Sequence, residues 1–210
     1  MYWTGGPASG MDASDTIAAV EDATTTERGR LGSDKALLAA TEATLETDAI
    51  WQAVATREAG LAAALDRWAA ETDGAVADAF ERAGTAASER AERVDATPGD
   101  PDSLSVHLGT VDGTAARVGA GLVAPALVRD RFYLQVVSFF INEADETSAD
   151  VVRDLRSGAS DLDPALAALA ALDEDGRETA RAAAVEAVGV AYDEYATALE
   201  AMGLDPKPVC

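Results

Sequence analysis

"AFERAGTAASERAERV", residues 79–94, holds five alanines and no proline, a composition that favours helix over strand. At about 100° per residue, Phe80, Ala83, Ala87, Ala91 and Val94 fall on one face, with Val76 a turn earlier. Glu89 then lies nearly opposite, and Glu81 and Glu92 lie well off that face. The spacing therefore predicts an amphipathic helix over about 74–95 that turns its acids to water.

The same reading extends outward along almost the whole chain, which shows helical periodicity and no sustained alternation. Ser14 or Asp15 is expected to cap a first helix reaching about Thr41 and loosened at the glycines of "RGRLGS" (28–33). Thr47 is expected to cap a second, ending near "ETDG" (71–74). The clearest linker is "DATPGDPDS" (95–103), with two prolines and a glycine in nine residues. Beyond it the pattern predicts helices over Ser103–Gly121 and Pro125–Asn142, a broken pair around "SGASDLDP" (157–164), and a last helix over Asp175–Met202. Gly203 and Pro206 stop that last helix.

The expected architecture is all-α, an antiparallel helical bundle. Its domain plan is a disordered arm over 1–13, one helical domain over 14–203 with a linker near 96–102 between two halves, and an irregular tail over 204–210. The opening "MYWTGGPASG" reads as an arm or an extension ahead of a second methionine, Met11.

Charge narrows the class of partner. The chain of 210 residues carries 38 acids against 16 bases, a net charge of −22, and its only lysines are Lys35 and Lys207. The acids are dispersed rather than gathered into a tail, which is the pattern of a surface adapted to high salt more than of a nucleic-acid mimic. Direct nucleic-acid binding needs clustered Arg and Lys, and none is present. The most apolar run, "FYLQVVSFFI" (132–141), is too short to span a bilayer. A lone cysteine, Cys210, excludes an intrachain disulfide, and its role is open. These features lead to the expectation of a cytoplasmic protein.

Buried acids are the candidates for chemistry. On the first helix Ile17, Val20, Thr24, Leu31 and Leu38 form a stripe with Glu27 at its edge. On the second, Ile50, Val54, Leu61, Leu65 and Trp68 form a stripe with Glu58 inside it. A carboxylate in an apolar seam is costly unless it is paired, hydrogen-bonded or metal-bound. Glu27 and Glu58 are therefore either metal ligands, or partners in ion pairs with nearby Arg28, Arg30 and Arg57, or members of a polar network without metal.

The stretch "TREAGLAAALDRWAAETDGAVADAFERAGTAASERAERV" (56–94), with "RLGSDKALLAAT" (30–41) and "YDEYATALEAMGLDPKPVC" (192–210), resembles a rubrerythrin-like, ferritin-like family of acidic haloarchaeal proteins. The resemblance covers roughly residues 24–95. It implies a four-helix ferritin-like bundle, di-iron or di-manganese oxidase or peroxidase chemistry, and a homodimer. Family members carry an inward Glu on one helix, and on the next a Phe followed seven and ten residues later by Glu and His. Here the Glu corresponds to Glu58 and the Phe to Phe80, so Ala87 and Arg90 stand where the two ligands should be. The rubredoxin-type iron site of rubrerythrins needs paired Cys-x-x-Cys, which one cysteine cannot supply.

Other candidates are weaker. His107, the sole histidine, has no ligand-type residue at metal spacing and reads as structural. "RVGAGLVAP" (117–125) contains Gly-x-Gly after a helix, not a strand, and so reads as close packing or a bend, not a dinucleotide site. "RFYLQVVSFFI" (131–141) is apolar nearly all round, as expected of a helix buried between layers or facing a second copy. Tyr192 and Tyr195 share a stripe with Val185, Val188 and Leu199, where their hydroxyls can meet polar partners.

The functional expectation is a non-catalytic interaction or regulatory protein that has lost its di-metal chemistry, with an unknown protein partner and no cofactor. The alternatives are a di-metal oxidase or peroxidase using Glu27 and Glu58, and a transcription-associated, antitermination-type factor acting through protein contacts.

Overall fold

The computed structural model describes residues 11–207. The expectations for residues 1–10 and for Cys210 lie outside the described residues. Among the described residues the chain forms helices and no strand. Eleven α-helices follow in order: α1 (Ala13–Ala23), α2 (Thr25–Leu31), α3 (Ala36–Ala40), α4 (Thr47–Ala70), α5 (Gly74–Glu92), α6 (Ser103–Leu108), α7 (Thr114–Val118), α8 (Ala124–Asn142), α9 (Glu146–Ala159), α10 (Asp163–Ala170) and α11 (Glu174–Ala201). A π-helical turn, Gly119–Val123, joins α7 to α8.

Helix α1 begins earlier than expected, because Asp12 and not Ser14 or Asp15 caps it. Its side chain accepts from the Asp15 N–H at 2.9 Å, and Asp15 accepts in return from the Asp12 N–H at 3.3 Å. This reciprocal pair satisfies two donors that a helix start otherwise leaves free. The predicted first helix is three pieces. Thr24 leaves helical geometry while its hydroxyl bonds back to the Val20 carbonyl at 2.7 Å, a competition with the helix ladder that Thr favours. Gly32 ends α2 where the chain meets α8, since a Cβ there would lie 3.2 Å from Cδ of Arg131. Two residues with positive φ, Glu42 and Ala43, follow α3 and lead the chain to α4.

α4 and α5 form an antiparallel hairpin turned at Glu71–Asp73, and Gly74 takes the left-handed φ of 69° that favours glycine. The two helices close tightly at Gly84, where a Cβ would lie 2.6 Å from Oδ1 of Asp66 and 3.3 Å from Cβ of Leu65. The 95–102 linker is held against α4. Thr56 Oγ1 accepts from the Gly99 N–H at 2.7 Å, and Gln52 Nε2 donates to the Thr97 carbonyl.

Past the linker the predicted boundary moves. The break falls after α6, where Gly113 has a φ of 85°, and not at the "GAG" of 119–121. From Thr114 to Asn142 the chain is one rod. The π turn widens the helix just ahead of Pro125, which has no N–H to return to the preceding turn. The glycines of that turn serve close packing, as their sequence context predicts. A Cβ on Gly119 would lie 1.8 Å from the Ala180 carbonyl oxygen on α11, and one on Gly121 would lie 2.4 Å from Cζ3 of Trp68 on α4. The rod is thus wedged between α4 and α11.

The apolar interior divides in two. One cluster gathers Leu61, Leu65 and Trp68 of α4, Phe80 and Ala87 of α5, Leu127 and Val128 of α8, and Val188 of α11. The other gathers Ile50 and Val54 of α4, Val94 just past α5, Phe132, Val136 and Phe140 of α8, and Leu155 of α9. Within "RFYLQVVSFFI" the side bearing Phe132, Tyr133, Val136, Val137 and Phe140 is buried, whereas Leu134 and Ile141 are exposed. No described helix is long and apolar enough to cross a membrane.

Candidate functional site

Three helices change character at the same level. Along α4 the second apolar cluster ends at Ala55 and the first begins at Leu61, with Glu58 between them. Along α8 the first ends at Val128 and the second begins at Phe132, with Arg129 between. On the α5 side Ala87 belongs to the first, Val94 to the second, and Arg90 lies between. Glu58, Arg90 and Arg129 are all buried. A layer of charge therefore separates two hydrophobic cores.

The geometry of the layer is closed around Glu58, which has no exposed surface. Oε2 accepts from Arg90 Nε at 2.9 Å and lies 3.4 Å from Arg129 Nη1; Oε1 accepts from the Tyr133 hydroxyl at 2.9 Å. Arg129 Nη2 donates to the Arg57 carbonyl at 2.8 Å, tying the layer to the backbone of α4. Burial pushes the Tyr133 hydroxyl well above its ordinary pKa, and the Glu58 carboxylate adds to the effect, so the hydroxyl keeps its proton and donates it. Burial, reinforced by repulsion from Arg90, lowers the Arg129 pKa against the pull of Glu58.

This donor set does not fit a di-metal centre. Both oxygens of Glu58 already accept from protein donors, and two guanidinium groups supply the positive charge that metal ions would bring. Glu27 sits half-buried on α2 and makes no ion pair or side-chain hydrogen bond with a described residue. Among the described residues no group of three or more His, Cys, Asp or Glu side chains comes together to hold a metal ion. The contacts of Glu58 are those of an ion cluster with Arg90 and Arg129, one of the alternatives left open for it, and Glu27 makes no ion pair or hydrogen bond with that cluster.

The expected ion-pair partners also change. Arg57, adjacent in sequence to Glu58, stands 3.8 Å from Asp102 instead. Arg28 pairs with Glu21 at 3.3 Å, and Arg30 donates to the Tyr192 hydroxyl. Tyr195 shares a hydrogen bond of 2.9 Å with Ser33, so both stripe tyrosines of α11 find polar partners, as anticipated. Glu81, Glu89 and Glu92 are exposed, as the helical register required. His107 lies half-buried in the last turn of the short helix α6.

Sequence reasoning missed a second feature, a groove of about 1080 Å³ between α4, α6, α8 and α11, bordered by Thr56, Arg57, Asp102, Arg129, Phe132 and Glu194. Asp102 caps α6 through the Ser105 N–H at 2.9 Å and stands 3.8 Å from Arg57 Nε. The Arg57 guanidinium stacks 4.3 Å from the Phe132 ring centroid. Glu194 accepts from the Ser103 N–H at 3.2 Å, and its pKa is raised by burial, with Arg57 opposing and Asp102 reinforcing. At least four sequence-distant segments meet there, and no local pattern announces it.

No protein-family model matches the chain, and no curated protein or solved structure shows significant similarity to it.

Proposed function

We propose that the chain is a salt-adapted, ferritin-like helical-bundle protein in which an ion cluster has taken the place of a di-metal centre, and that it works without catalysis as an interaction or regulatory protein. The observation that carries this reading is the 2.9 Å contact of Arg90 Nε with Glu58 Oε2. Arg90 is the residue that stands where the resembled family has its histidine, and it reaches the same glutamate that the family would use for metal.

A bundle core holds ligands or metals on inward side chains of facing helices. In this chain the same level is occupied by fixed charges that neutralise one another in part. Such a layer specifies helix register, because a slip of one turn would bury each charge against apolar side chains. A protein that acts by presenting a surface needs that fixed register and no open coordination position. The exposed apolar residues Leu134 and Ile141 on α8 give such a surface, and a homodimer through this face is the simplest partner.

The test is metal content after purification in high salt. Iron and manganese well below one equivalent per chain, unchanged by Glu58→Ala, support the reading; two equivalents lost on that substitution overturn it. Sedimentation equilibrium of the wild type and of Ile141→Asp then tests the proposed face, with a dimer that dissociates on substitution as the expected result.

A further inference from the structure

The charge layer is not balanced within itself. Two buried guanidinium groups share the single carboxylate of Glu58, and Tyr133 keeps its proton, so one positive charge in the layer has no counterpart there. An uncompensated charge out of water is costly and draws an anion where one can reach it.

One can reach Arg90. Its side chain is 9% exposed, and it commits only Nε to Glu58; Nη1 and Nη2 hydrogen-bond to no described residue. The guanidinium borders a pocket of about 190 Å³ lined by Arg82, Arg90, Gly121, Arg129, Gly158 and Asp163, among others. Gly158 leaves the space open, because a Cβ there would already stand 3.5 Å from Arg90 Nη1. The inner wall is therefore the edge of one buried guanidinium with a second behind it.

The acids near the pocket are at its mouth. Asp161 and Asp163 are exposed, as is Arg82, and Asp161 Oδ1 accepts from the Asp163 N–H at 2.9 Å. Charges in contact with water are screened over about 10 Å or less at ordinary salt, whereas those in the dry layer are not. The field at the bottom of the pocket is set by Arg90 and Arg129.

We propose that this pocket binds a small oxyanion, a short carboxylate or inorganic phosphate, on the free Nη edge of Arg90. A guanidinium edge matches two oxygens of such an ion at once, which a spherical halide cannot exploit. The site goes beyond the non-catalytic reading above and does not depend on it.

The test is thermal unfolding of the full chain at fixed ionic strength, with chloride replaced stepwise by acetate in one series and by inorganic phosphate in another. A saturable rise in Tm with either ion is expected for the wild type. Gly158→Asp places a tethered carboxylate on the same edge and is expected to weaken the apparent affinity at least about tenfold through occupancy of the site. The series in which saturation occurs tells carboxylate from phosphate. No saturable rise with either ion, or the same rise in Gly158→Asp, overturns the proposal.

Discussion

Arg90 on α5 and Glu58 on α4 meet at 2.9 Å in the interior of the α4–α5 hairpin, 32 residues apart in sequence, with apolar clusters above and below. Removing one partner leaves the other charge without compensation, which typically costs about 3–5 kcal/mol. Glu58→Ala is expected to lower stability by that amount, read as a shift of the urea midpoint with an unchanged slope. Replacing Glu58, Arg90 and Arg129 together by methionine should recover most of the loss, because apolar packing of similar volume often equals a buried ion cluster.

Tyr133 gives a separable measurement. Tyr133→Phe deletes one donor to the carboxylate and is expected to cost about 1.5–3 kcal/mol, the range for hydrogen bonds to charged groups. In the wild type, the raised folded pKa means that the native state holds its proton where the unfolded chain, with a pKa near 10, loses it. The resulting stability is fully present below about pH 10 and declines as pH rises past it. Alkaline unfolding followed at 295 nm should be shallower for Tyr133→Phe than for the wild type.

Glu194 titrates with the opposite consequence for substitution. Burial raises its folded pKa, so the native state favours the protonated form and loses stability as pH rises from the unfolded pKa of about 4.3 through the folded one. Glu194→Gln keeps the acceptor for Ser103 and removes the charge. It is expected to raise Tm at pH 7, with the gain vanishing at pH values below the unfolded pKa.

Glycines within the helices divide by what surrounds them. Gly121→Ala drives a methyl to 2.4 Å from Trp68 and is expected to cost about 1–3 kcal/mol, with Gly119→Ala, at 1.8 Å from a backbone oxygen, the worse of the two. Gly189 lies within α11 with nothing within 4 Å of an added Cβ. Gly189→Ala should therefore stabilise by about 0.5–1 kcal/mol. Thermal melts of the three variants give the ranking.

Net charge makes a global prediction. At −22 the folded chain repels itself, and added salt screens that repulsion. Tm is expected to climb steadily between low and molar sodium chloride; a flat or falling profile would count against salt adaptation.

The sequence by itself determined the helical class, the position of α4, α5 and α11, and which acids of 79–94 face water. Those properties follow from period and local composition, which act within one or two turns of chain. Periodicity also put Glu58 inside a seam. It could not name the partners of Glu58, because Arg90 and Arg129 lie 32 and 71 residues away in sequence and reach it only when α5 and α8 pack on α4. The break after α6 and the unbroken run through Pro125 were likewise decided by packing, since the π turn answers to Trp68 and Ala180 on two other helices. The groove at Glu194 and the pocket beside Arg90 exist only in the assembled fold: their walls come from segments that share no local pattern.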